Sequence, residues 1–184
     1  MTPSTPTRRF AGDQSGLAAV EFALVLPVLL LLALGLAEVG RFALLSLKLQ
    51  HAATTMADLA SRDEALTVAA VQSMFSATGH IVQPFDIADQ GVVVLSGIGV
   101  DPGKVAAVFW QQHGAGKLAR ASDIGASGGK ATLPEDLVVR DGETVIAAEV
   151  FFSYEPWLLR LVPATLLRRV AYYRPRLGTL RSLG

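Results

Sequence analysis

Hydrophobic and polar positions divide the chain into three regimes. Met1 to Ser15 is polar, rich in Thr, Ser and Pro, with Arg8 and Arg9 as its basic residues. From Leu17 to Ala37, Glu21 is the only charged residue. At 1.5 Å per helical residue this stretch spans about 32 Å, close to the roughly 30 Å hydrocarbon core of a bilayer, so a membrane-crossing helix is predicted. Further on, the apolar run narrows to a stripe. Phe42, Leu45, Leu49, Ala52, Met56 and Leu59 recur at spacings of three and four, which is one face of a helix. A single helix from about Gly16 to Leu59, some 65 Å long, is expected, its stripe packing on the rest of the chain or on other subunits.

The remaining sequence alternates differently. Ser61 and Glu64 have capping-box spacing and predict a second helix running through Leu66, Ala69, Ala70 and Met74 toward Gly79. Gly91–Val100 and Lys104–Gln112 are β-rich runs on either side of Asp101-Pro102-Gly103, a turn sequence, and predict a hairpin. A Gly- and Ser-rich loop from His113 to Thr132 precedes Thr144–Tyr154, the strongest strand pattern, and Arg169–Tyr173 supplies a fourth strand. Pro156–Pro163 is apolar and proline-bounded; it is read either as a buried core loop or as a short helix touching a membrane surface or another subunit. The fold class is α+β: a long N-terminal transmembrane, pilin-like helix, then a small globular domain with a helix and a mainly antiparallel sheet of about four strands. The expected organisation is a cytoplasmic leader over 1–16, a transmembrane and extended amphipathic helix over 17–60, and an exported α+β domain over 61–184.

Composition narrows the function. The 184 residues suffice for one domain plus an anchor, and 51% are hydrophobic, with the excess gathered between Leu17 and Leu49. Formal net charge is zero, with 16 basic and 16 acidic residues and no basic block, which argues against a nucleic-acid partner. The absence of cysteine removes disulfides and thiolate chemistry. His51, His80 and His113 are isolated, with neither metal-ligand spacing nor an acidic cluster nearby. Gly97-Ile98-Gly99 lacks the third glycine of a dinucleotide site, no nucleophile elbow is present, and the acidic clusters Glu135-Asp136 and Asp141-Gly142-Glu143 read as solvated turns. No enzyme, cofactor, metal or small-molecule substrate is therefore expected.

Within the apolar run, Glu21 invites a functional reading, because a carboxylate at mid-membrane costs about 2.5–3.5 kcal/mol. The alternative is an interfacial carboxylate favoured by the helix dipole, worth about 0.3–1 kcal/mol. Pro27 removes the bond to the Ala23 carbonyl and loosens the helix, either for adjustable packing in a bundle or as a tolerated membrane proline. A cleavable secretory signal is disfavoured by the length of the run and by Glu21. Arg8 and Arg9 before the span are nearly balanced by Arg41 and Lys48 after it; the short preceding segment favours a cytoplasmic N-terminus. Glu38 and Arg41, three apart where the run ends, are expected to pair on the helix surface.

The stretch Gly16-Leu17-Ala18-Ala19-Val20-Glu21-Phe22-Ala23-Leu24, followed by Pro27, resembles the processing motif of TadE-like proteins, minor pilins or pseudopilins of the tight-adherence (Tad) pilus. Tyr172-Tyr173-Arg174-Pro175-Arg176 is similar to the aromatic-Arg-Pro-Arg ending of TadE-like and TadG-like chains. The resemblance covers both ends, and residues 60 to 165 match only in style.

The resemblance implies cleavage by a prepilin peptidase between Gly16 and Leu17, leaving Glu21 fifth and Phe22 sixth in the mature chain. Major pilins of this type carry Tyr where Phe22 stands, which points to a minor subunit. Gly16, after Gln14 and Ser15, gives a flexible bond outside the apolar run, and the freed amine of Leu17 can offset Glu21 in its own helix or a neighbour. Implied partners are the prepilin peptidase, other Tad pilins and pseudopilins, the pilus assembly platform and the bacterial inner membrane. Implied roles are pilus assembly and surface adherence. The rival readings are an unprocessed membrane-anchored periplasmic scaffold or ligand-binding component of a secretion apparatus, and, less supported, an anchored enzyme whose residues converge only in the fold.

Overall fold

The computed structural model describes residues 15–184, so the leader expected over 1–16 lies almost wholly outside the described residues. The first element, α1 (Ser15–Arg62), is a continuous 48-residue helix, about 72 Å long. The predicted span and the predicted stripe are thus one rod. Leu45, Leu49, Ala52 and Met56 of the stripe are buried and Phe42 packs against them, but Leu59 is 38% exposed. Its place is taken by Ala53, Ala57 and Ala60, each fully buried. The stripe faces the rest of this chain, and its small residues let α1 lie close against a sheet.

The second helix does not start where the capping-box spacing predicts. Ser61 belongs to the last turn of α1, where its hydroxyl donates to the Asp58 carbonyl at 2.8 Å. A cap requires an extended residue before the first turn, and α1 has not yet ended there. The second helix, α2 (Val68–Val82), begins after Thr67, whose side chain accepts from the Ala70 amide at 3.2 Å. A one-turn helix, α3 (Ile87–Gln90), follows, capped by Asp86.

Four strands complete the fold: β1 (Gly91–Gly99), β2 (Ala107–Gly114), β3 (Thr144–Tyr154) and β4 (Thr165–Tyr173). Every neighbouring pair is antiparallel, in the order β2-β1-β3-β4. The predicted hairpin is β1–β2, turned at Gly103 with φ of +74°, a conformation that glycine adopts without strain. The fourth strand starts four residues before the predicted Arg169, because Thr165 already pairs with Tyr154.

β1 is buried along its whole length and β3 nearly so, although a sheet with helices on one face leaves the other to solvent unless something covers it. Connectivity supplies the cover. β2 and β3 lie on opposite sides of β1 and run the same way, so residues 115–143 must return across the outer face of the sheet. Leu118, Ile124 and Ala131 of that crossing pack on Val92, Val94, Ile98, Ala147 and Phe151. On the inner face Val93, Leu95, Ile146, Val150 and Phe152 meet α1 and α2. The result is a helix layer, a sheet and a loop layer.

Residues 155–164, between β3 and β4, form neither a helix nor a buried loop. They make an irregular loop in which Trp157 is 64% and Leu161 59% exposed. The two bounding prolines break regular structure, and the apolar content that suggested a core position is turned outward.

Candidate functional site

The residues singled out by the sequence lie on the first turns of α1. Leu17 and Glu21 are four apart and share a face; Leu17 is 61% and Phe22 60% exposed, and Glu21 is exposed as well. A β-carbon added at Gly16 would meet nothing within 4 Å. Pro27 lies inside the helix without ending it. This end of α1 is long and apolar enough to cross a membrane, and none of its most apolar 18-residue window is buried against the protein. A bare stripe of Leu and Val of this length is unfavourable in water, at about 25 cal/mol per Å2 of apolar surface.

Where the bare half meets the domain, the sequence reading needs correction. Glu38 and Arg41 do not pair on the surface. Glu38 is fully buried, and its Oε2 accepts the backbone amides of Leu159 at 3.0 Å and Leu161 at 3.4 Å. Arg41 stacks instead on the rings of Phe85, at 5.5 Å, and Trp157, at 5.6 Å. Spacing of three permits a pair, but the carboxylate is turned to the amides of the β3–β4 loop, 121 positions further along the chain, while the guanidinium is held between the two rings. One turn below Glu38, a β-carbon at Gly35 would lie 3.0 Å from Leu161 Cδ1, so the glycine gives the loop a close approach to the helix there. Nearby, burial pushes the Tyr154 phenol up, with the Glu38 charge adding to it. Tyr154 edges against Phe42 with ring centroids 5.1 Å apart.

At the opposite end of the domain the C-terminal segment accounts for the Arg-Pro-Arg sequence. Arg176 donates to Asp58 on α1 at 2.8 Å, and its backbone amide to the Ser61 carbonyl at 2.8 Å. The hydrogen bond from Arg62 and the charge of Arg176 hold the Asp58 carboxyl below the usual range. Arg174 donates to the Val138 carbonyl at 2.9 Å. The Trp110 indole donates to the Leu180 carbonyl at 2.9 Å, and Gly184 bonds Leu66. These contacts tie the chain's last residues to the end of α1 and satisfy carbonyls that a helix end leaves open.

A third polar cluster lies under the loop layer. Glu149 on β3 is fully buried and accepts from Arg168, Ser122 and the Asp123 amide; Arg168 Nη2 is 2.8 Å from Glu149 Oε1. The cluster is closed on itself, which suits a structural pin for the crossing loop. Among the described residues no group of three or more His, Asp or Glu side chains is placed to hold a metal ion. His80 borders an open cavity of about 590 Å3 between α2 and α3, without a partner arrangement for catalysis.

Sequence reasoning missed Gly35 and Glu149, and gave Glu38 the wrong partner. Glu38 offered a signal, an acid at the boundary of an apolar run, but its partners are backbone amides, which have no sequence signature. Gly16 and Leu17, where cleavage is expected, and Glu21 and Phe22 are brought to no other element.

No curated protein and no solved structure matches the chain. The family model described as TadE-like protein matches residues 16–58. That match begins at the glycine before the apolar run and ends within the buried stripe, so it covers both halves of α1. Over this helix, residues 16–58, the chain is similar to the TadE-like family.

Proposed function

We propose that this protein is a minor pilin or pseudopilin of a Tad-type pilus. It is inserted with its N-terminus cytoplasmic, cut by a prepilin peptidase between Gly16 and Leu17, and assembled laterally through the bare half of α1. The supporting observation is that the family match over residues 16–58 coincides with a single helix whose most apolar 18-residue window no part of this chain covers. A rod exposed to lipid on one side and free to meet other rods on another is what lateral assembly in a membrane requires. With the leader removed, the new amine of Leu17 lies one helical turn below Glu21. It can neutralise that carboxylate in the same helix or in an adjacent subunit, offsetting the cost of an unpaired charge among apolar groups. Phe22 then presents an aromatic face beside the acid. The domain carries no reacting constellation in this reading and acts as a structural head, with pilus assembly and surface adherence as its context.

Intact mass and N-terminal sequencing of the membrane-extracted protein, from cells with and without their prepilin peptidase, test this. A mature start at Leu17 that depends on the peptidase supports the proposal. An intact leader in both strains overturns it and leaves an anchored periplasmic scaffold.

A further inference from the structure

We infer that the β3–β4 loop, residues 155–164, is a second membrane contact: Trp157, Leu158 and Leu161 enter the interfacial layer of the bilayer that holds α1. The inference rests on the reading that Leu17–Ala37 crosses that bilayer, and it adds a surface the apolar run does not contain.

The loop is fixed in height by α1. If the 21 residues of the run are centred on the bilayer at Pro27, Gly35 lies about 12 Å from the midplane and Arg41 about 21 Å. The hydrocarbon edge is at about 15 Å. Leu161 Cδ1, 3.0 Å from the β-carbon position of Gly35, therefore falls inside the hydrocarbon edge. Trp157, beside Arg41, falls among the headgroups, the level at which Trp and Arg side chains concentrate.

The loop is also held in that place. Glu38 accepts the Leu159 and Leu161 amides together, and Arg160 between them adopts φ of +53°, a left-handed conformation that a non-glycine residue takes at a cost of about 1–3 kcal/mol. The turn directs three apolar side chains away from the protein: Trp157 is 64%, Leu158 42% and Leu161 59% exposed. They extend the bare surface of α1 sideways without a break, because Leu161 touches the helix inside the apolar run. A bilayer that covers Gly35 covers Leu161 too.

The chain has no cysteine, so single-cysteine variants of the full chain can carry one nitroxide each in phosphatidylcholine–phosphatidylglycerol liposomes. Leu30→Cys reports the span, Leu158→Cys and Leu161→Cys the loop, and Val105→Cys the β1–β2 turn at the far end of the domain. We expect nickel-chelate accessibility several-fold lower at the two loop positions than at residue 105, with oxygen accessibility raised toward that at residue 30. Adding Glu38→Ala should return the loop positions toward the aqueous values and leave residue 30 unchanged. Aqueous values at both loop positions, with residue 30 in lipid, overturn the inference and leave the span intact. Low accessibility to both reagents at the loop also overturns it and points to another protein subunit as the cover. An aqueous residue 30 overturns the span itself.

Discussion

The two halves of α1 have the same backbone and opposite surroundings. The N-terminal half is built of large aliphatic residues, Leu24 to Leu32 above all, and nothing in the chain covers its most apolar window. The C-terminal half turns Ala52, Ala53, Ala57 and Ala60 inward with Leu45, Leu49 and Met56, and all of them are buried. Glu21 and Glu38 repeat the contrast, one exposed near the start of the helix and the other enclosed by backbone amides. Apolar pattern separates these fates, a continuous run in one half and a single stripe in the other, and small residues interleaved in the stripe bring the sheet close. A sheet with its own side chains can approach a helix closely only over small residues, whereas lipid tails fill whatever large side chains leave open.

Substitutions that move residues across this divide test it. The largest effect is expected at the core: Leu49→Ala should destabilise the domain by about 3 kcal/mol through lost transfer and an unfilled cavity. Leu30→Ala in the bare half should change its denaturant midpoint little, and equal losses at both sites would show that the halves are not distinct. Next, Arg168→Met should cost about 3 kcal/mol, at the low end for a broken buried pair because Arg168 is one-third exposed. Combining it with Glu149→Gln should recover part of the loss, since the uncompensated charge is then removed. Glu38→Ala should cost about 1–2 kcal/mol by orphaning two amides, and hydrogen exchange at Leu159 and Leu161 should speed up. Glu38→Gln, which keeps an acceptor, should lose less.

The smallest effect concerns pH. The Asp58 carboxyl is held below its usual range by Arg62 and Arg176, so the unfolded chain binds its proton more readily and stability rises with pH through that range. Its contribution is present above the ordinary value of 3.8 and is lost as pH falls through the lowered folded value. Asp58→Asn should lower the melting temperature slightly at neutral pH and leave the most acidic values nearly unchanged, flattening the acid limb below about pH 4. An unchanged acid limb would show that the C-terminal tie does not depend on this charge.

Much of the fold was legible because its signals are local and repetitive. The apolar run, the stripe at three and four, the Asp-Pro-Gly turn and the Thr144–Tyr154 strand each arise from neighbouring residues, and each appears in the structure. The two misplacements share a cause. Ser61 has the side chain of a cap, but the helix before it runs on while the C-terminal segment bonds its carbonyl. The 156–163 run has the composition of a core, but Glu38 holds its backbone and leaves its side chains outside. In both places a hydrogen bond from a distant part of the chain to the local backbone outweighs the local pattern.

The sequence by itself determined that one long helix would join an apolar, bilayer-length segment to an α+β domain, because hydrophobic period and run length survive in any environment. Tertiary structure alone decided that residues 115–143 cross the sheet's outer face, that the chain's end is tied to Asp58 and that the β3–β4 loop docks at Gly35 and Glu38. Those outcomes depend on strand order and on hydrogen bonds to the main chain, and main-chain donors and acceptors are the same at almost every position of a sequence.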